Sequence, residues 1–144
     1  MFKLIIKLLL LSLLIKLSHG YEFDASAKIT INESLALSDK NQRSILQIKG
    51  LFTDSNGDYG NLNCIGTNDI NPENTLLNLT CQGNNQINEF FWIEINRIIN
   101  NDDASIGKTK YIKGTGKYIN YVGRQCNYAV KYFEKSKVFY KHKC

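Results

Sequence analysis

Glu89-Phe90-Phe91-Trp92-Ile93-Glu94-Ile95-Asn96 alternates with a period of two. Phe91, Ile93 and Ile95 share one parity and are all apolar, while Phe90, Trp92, Glu94 and Asn96 share the other and pass from aromatic to polar. Successive side chains of a strand point to opposite faces, whereas an amphipathic helix needs apolar residues three and four apart. The segment therefore reads as a long β-strand with one face given to a core.

The same habit extends in both directions. Upstream, Leu77, Leu79 and Cys81 oppose Asn78 and Thr80, and residues 82–88 form a polar turn. Ala27, Ile29 and Ile31 alternate with Lys28, Thr30 and Asn32, and Leu46 and Ile48 continue the pattern before Leu51-Phe52. Between these runs and the return strand at residues 59–67, Asp54-Ser55-Asn56-Gly57-Asp58 carries the Asn-Gly pair that suits a tight hairpin turn. Its alternating oxygens resemble a calcium loop only superficially. Gly57 is fourth rather than sixth, and Ile65 stands where an EF-hand needs a glutamate.

Downstream of a polar loop, residues 108–113, 117–122, 126–133 and 137–143 supply up to four further short strands. Tyr128, Val130 and Tyr132 share the face of Cys126. Eight or nine strands at spacings of roughly 8 to 15 residues point to an all-β domain, a small antiparallel barrel of about eight strands or a β-sandwich.

Residues 1–20 differ from the rest in composition. Lys3 and Lys7 precede an uncharged apolar run at residues 8–15, and Ser18-His19-Gly20 offers small residues where a signal peptide is cut. The run is too short for a membrane helix, which needs about 20 apolar residues, so no permanent span is expected. The mature chain is expected to comprise residues 21–144, one domain in size.

Loss of Lys3, Lys7 and Lys16 leaves 15 basic against 13 acidic residues, and the net charge falls from +5 to +2. So weak a balance argues against nucleic acid as a partner. The distribution is uneven: residues 21–107 carry a net of −7 and residues 108–144 a net of +9. Acidic and basic strands can pair within one domain. Alternatively Lys108, Lys110, Lys113, Lys117, Arg124 and Lys131 form a basic face for an anionic surface or a protein partner.

Cys64, Cys81, Cys126 and Cys144 are even in number behind an export signal, which favours two disulfides over free thiols. Zinc knuckles would need closely spaced ligands, whereas the gaps here are 17, 45 and 18 residues, so no metal site is expected. Four cysteines allow three connectivities, and pairing each with its sequence neighbour, Cys64–Cys81 and Cys126–Cys144, is one choice among them. An oxidising compartment follows, a Gram-negative periplasm ahead of a eukaryotic exterior. The sequons Asn32-Glu33-Ser34 and Asn78-Leu79-Thr80 would matter only in the latter.

Catalytic residues are not evident. His19 leaves with the signal, and His142, beside Lys141, Lys143 and Cys144, reads as a solvated terminal side chain. Asp102-Asp103 sits in a polar loop, and Glu89 and Glu94 have opposite parity, so neither makes a carboxylate pair across a cleft. No catalytic residue and no cofactor is assigned.

Gly114-Thr115-Gly116-Lys117-Tyr118, followed by Gly123, resembles the GGTGK-aromatic-x-x-x-x-G stretch of the allene oxide cyclase and dirigent-like β-barrels, with Lys113 at the position of the first glycine. The likeness covers about ten of the 144 residues. It implies an eight-stranded barrel in which this stretch shapes a turn and a strand, and whose lumen takes apolar small molecules. No residue here matches the family's catalytic groups.

Phe91, Trp92, Tyr118, Tyr121, Tyr128 and Tyr132 are candidates to line such a lumen, or to serve simply as core. Three functional readings follow. The first is a non-enzymatic barrel holding a small, partly apolar ligand. The second is an envelope or interaction module using the basic C-terminal strands, and the third an isomerase or cyclase.

Overall fold

The computed structural model describes residues 20–99, 106–134 and 136–144; the signal-like segment and Asp102-Asp103 lie outside them. Eight strands follow in order: β1 (Glu22–Ser38), β2 (Asn41–Asp54), β3 (Tyr59–Ile70), β4 (Thr75–Asn85), β5 (Phe90–Ile99), β6 (Ile106–Gly114), β7 (Gln125–Phe133) and β8 (Lys137–Lys143). Each pairs antiparallel with the next, and β1 closes on β8 through pairs from Glu22 with Lys143 to Lys28 with Lys137. The molecule is thus a closed eight-stranded meander barrel, and the sandwich alternative falls away. Closure leaves no sheet edge to be satisfied by another chain.

Alternation decides which side chains fill the lumen. Phe23 and Ala25 of β1, Phe52 of β2, Leu62 and Cys64 of β3, Leu79 and Cys81 of β4 and Phe91, Ile93 and Ile95 of β5 all join one buried cluster. Phe23 stacks on Phe52 at 4.9 Å between ring centroids and meets Phe91 edge-on at 5.7 Å, so three strands interlock through three rings. Such ring pairs add about 0.5–1.5 kcal/mol each beyond the area they bury.

Both disulfides form, Cys64–Cys81 and Cys126–Cys144. Cys64 and Cys81 face each other across the β3–β4 ladder, whereas Cys144 follows β8 and is drawn to β7. The turn at Asp54–Asp58 is as expected. Gly57 takes φ +83°, and the Asp54 carboxylate accepts the amides of Asn56 and Asp58, both at 2.9 Å.

One expected strand is a helix. Residues 117–121 of that run belong to a 3-10 helix, Gly116–Tyr121, which crosses one end of the barrel, and Val122 follows its end. Its entry is fixed by Thr115, whose amide donates to the Phe90 carbonyl at 2.8 Å while its hydroxyl accepts the Phe90 amide at 2.7 Å. Gly116 then adopts φ +52°, a conformation L side chains rarely take, beside the Glu89 carboxylate. Tyr118 and Tyr121 are three apart, the repeat of a 3-10 turn, and so lie on one face. Tyr118 falls into the lumen with its ring 4.9 Å from Phe91. The stretch that resembles the cyclase family's turn and strand is here a turn and a plug.

Candidate functional site

The plug divides the lumen into two unlike halves. In the closed half, aromatic rings surround a directed run of polar groups. Asp54 accepts from the Tyr21 hydroxyl at 3.1 Å, and Tyr21 accepts from Tyr111 at 3.4 Å. Tyr111 lies 3.1 Å from His142 Nε2, and the Tyr140 hydroxyl lies 3.1 Å from His142 Nδ1. With Tyr111 donating onward to Tyr21, its oxygen is left to accept, which places the imidazole proton on Nε2 and makes Tyr140 the donor to Nδ1.

His142 is therefore not a solvated terminal side chain. It is 0 % exposed and stacked on Phe23 at 4.6 Å. Parity on β8 carries it inward with Val138 and Tyr140. Burial lowers its pKa to about 3, so it is neutral across the physiological range. Burial likewise raises the phenols of Tyr21, Tyr111, Tyr118 and Tyr140.

Beneath the plug, Asp58 receives the Tyr118 hydroxyl at 3.0 Å, the Gln86 amide at 3.0 Å and the Lys117 ammonium. Burial alone would raise the Asp58 pKa, but these donors outweigh it and the net shift is downward. Every named group in this half is held by another protein group. Cys126, His142 and Cys144 come together, but the two sulfurs are bonded to each other and supply no thiolate for a metal.

The other half is an open cup of about 230 Å³. Ile29, Leu46, Ile48, Leu79 and Ile95 belong to its aliphatic wall, with Asn68, Arg97, Tyr128 and Tyr132 the polar side chains among the described lining. Arg97 is 7 % and Tyr128 3 % exposed, while Tyr132, 50 % exposed, stands at the rim. Burial raises the Tyr128 pKa, and the neighbouring Arg97 guanidinium opposes that rise. The Tyr128 ring lies over Gly107, its cross-strand partner on β6, where a Cβ would come within 2.5 Å of the ring. A broader polar depression at the closed end, between Tyr21, Ser55, Tyr121 and Arg124, also contains Gly20, the first described residue, and lies outside the lumen wall.

The six aromatic candidates thus separate. Tyr128 and Tyr132 reach the cup; Phe91 and Tyr118 pack the closed half, and Tyr121 covers it against Tyr21 at 4.9 Å. Trp92 lies on the outer face, 6.0 Å from Phe90 with the Lys113 ammonium over its ring, and does not line the lumen. Glu89 precedes β5 and binds the Asn85 side chain at 3.2 Å.

No family model and no curated protein matches the chain. A solved structure of a protein of unknown function from Clostridium acetobutylicum shares the fold. It superposes with a TM-score of 0.65 at 16% identity, over 86% of this chain and 98% of that one. The likeness is one of architecture.

Arg97 was not singled out from the sequence, although it continues the parity of Phe91, Ile93 and Ile95 by one more step. That continuation was the available signal. The basic residues Lys108, Lys110, Lys113, Lys117, Arg124 and Lys131 are all exposed. Several others are already paired: Lys141 and Lys143 with Glu22 at 3.0 and 2.9 Å, and Lys137 with Glu134 at 3.1 Å.

Proposed function

We propose that the protein is an exported, non-enzymatic barrel that holds a small, partly apolar ligand in the open half of its lumen. The apolar cup carries this reading. Its wall is concave and mostly aliphatic, with Asn68, Arg97, Tyr128 and Tyr132 the polar side chains among the described lining, the general form of a small-molecule site. Two disulfides, together with the charged-then-apolar start of the sequence, support an oxidising compartment outside the cytoplasm. Among the described residues no helix is long and apolar enough to cross a membrane.

Native mass spectrometry of protein purified from an oxidising compartment tests the proposal. An adduct that persists under gentle conditions and is lost on denaturation is the expected result. A bare mass, together with no binding of apolar probes, would remove the lumen from consideration.

The exposed Lys108, Lys110 and Lys131 on neighbouring β6 and β7 favour a second reading, docking to an anionic surface. That association would weaken as the Debye length shrinks from about 30 Å at 0.01 M salt to about 8 Å at 0.15 M, whereas lumen binding would not. An isomerase or cyclase would need paired acid and base groups at the cup, and Arg97 cannot supply a proton at neutral pH.

A further inference from the structure

We infer that the open cup takes the end of one phospholipid acyl chain, and that the apolar mouth around it docks on an anionic bilayer from which that chain comes. This rests on the reading that the cup binds a ligand at all. The cup limits what enters. A cavity of ~150 Å³ holds benzene, so 230 Å³ suits on the order of ten non-hydrogen atoms, the end of a chain rather than a whole lipid. Arg97 and Tyr128, the two buried polar side chains of the lining, interact with each other, so the wall meets an entering group with aliphatic contact.

The rest of the lipid then lies across the mouth, and the mouth is apolar. Ile31 and Tyr132 belong both to the lining of the cup and to the exposed surface, so cup and rim are continuous. Ile98 near the end of β5, Ile106 at the start of β6 and Phe133 at the end of β7 extend that rim outward, each 55 % or more exposed. An apolar rim around an apolar cup marks a surface that a partner covers. β6 and β7 each carry an exposed lysine two residues farther from the mouth, Lys108 behind Ile106 and Lys131 behind Phe133. Two residues of strand span about 7 Å, so the apolar side chains reach the acyl region while the ammonium groups stand at the level of the phosphates. The acidic Glu33 and Asp39 lie on the β1–β2 hairpin, beyond β8, which leaves the β5–β7 side to meet a negative surface.

Flotation of the disulfide-intact protein with vesicles of phosphatidylglycerol and of phosphatidylcholine tests the docking. Binding to phosphatidylglycerol should be about tenfold or more tighter, and Lys108→Gln with Lys131→Gln should remove most of that difference. Ile106→Ser with Phe133→Ser should weaken binding to both vesicles severalfold. Native mass spectrometry of protein recovered from the vesicles should find one phospholipid per barrel, lost when Ile48→Phe fills the cup while vesicle binding persists. NMR shifts of the Ile48 and Leu79 methyl groups report the same occupancy if that variant does not fold. No vesicle binding, equal binding to the two lipids, or a dimer that buries this rim would overturn the inference. A different small molecule retained in the cup would overturn it and leave lumen binding standing. A cup empty in every preparation would overturn both.

Discussion

His142 lies two residues from the last residue of the chain, yet it is among the most enclosed side chains in the barrel. Its imidazole has a hydroxyl on each nitrogen and a phenyl ring on its face, and among the described residues no carboxylate contacts it directly. An unfolded chain binds a proton there near pH 6.5, while the folded chain resists protonation until about pH 3. Between those values the unfolded state holds the extra proton, so stability is full above about 6.5 and declines as pH falls. The slope is on the order of 1.4 kcal/mol per pH unit, giving about 2 kcal/mol between pH 6.5 and 5. Urea unfolding at about pH 7 and pH 5 should show this loss, and His142→Phe, which keeps a ring against Phe23, should shrink it. An unchanged pH dependence in the variant would assign the acid sensitivity elsewhere. Glu22 acts in a lower window. Lys143 and Lys141 bring its pKa down to about 2, so its contribution is lost only as pH falls from about 4.5 toward that value. Parity on β8 made the inward position of His142 legible; the run of lysines beside it concealed this, because charge near a chain end ordinarily means solvent.

At the scale of elements, most of the strands were legible because burial on one side imposes a period of two on the sequence. The 3-10 helix at Gly116–Tyr121 was not, since two tyrosines three apart also satisfy a short run of mixed polarity. The Thr115 contacts to Phe90, the turn at Gly116 and the Tyr118 hydroxyl on Asp58 send that segment across the barrel end. Likewise Gly83 looks like an ordinary turn residue, but the Phe91 ring occupies the place of its side chain, and a Cβ there would sit 2.1 Å from the ring. The Cys126–Cys144 bond fastens the chain just past β8, the strand that closes the barrel against β1. Replacing both cysteines by alanine removes a crosslink spanning 18 residues and should cost about 3 kcal/mol in chemical denaturation. Amide exchange should accelerate first near the end of β8. A uniform rise over all strands instead would show that this staple acts on the unfolded chain alone.

For the whole molecule, closure joins residues that are far apart in sequence. Lys143 donates to Glu22 across 121 positions at 2.9 Å, within the final β1–β8 ladder. Hairpins between neighbouring strands form locally, but the barrel is complete only when its first and last strands meet, so refolding should take milliseconds to seconds rather than microseconds. Stopped-flow refolding with the disulfides intact measures this, and a microsecond phase carrying the whole amplitude would contradict it.

The all-β class, most of the strand-forming segments, the Asn56-Gly57 turn and a sufficient set of cysteines were legible in the sequence alone, because these depend on local alternation, on φ preferences and on counting. The tertiary structure decided the rest. Closure rather than a sandwich, the plug that fills one half of the lumen, and the meeting of Arg97 with Tyr128 all depend on which strands become neighbours around a ring. The same inward parity gives packed core in the closed half and an open cup in the other. That difference arises from the helix laid across one end, which no periodicity along a single strand records.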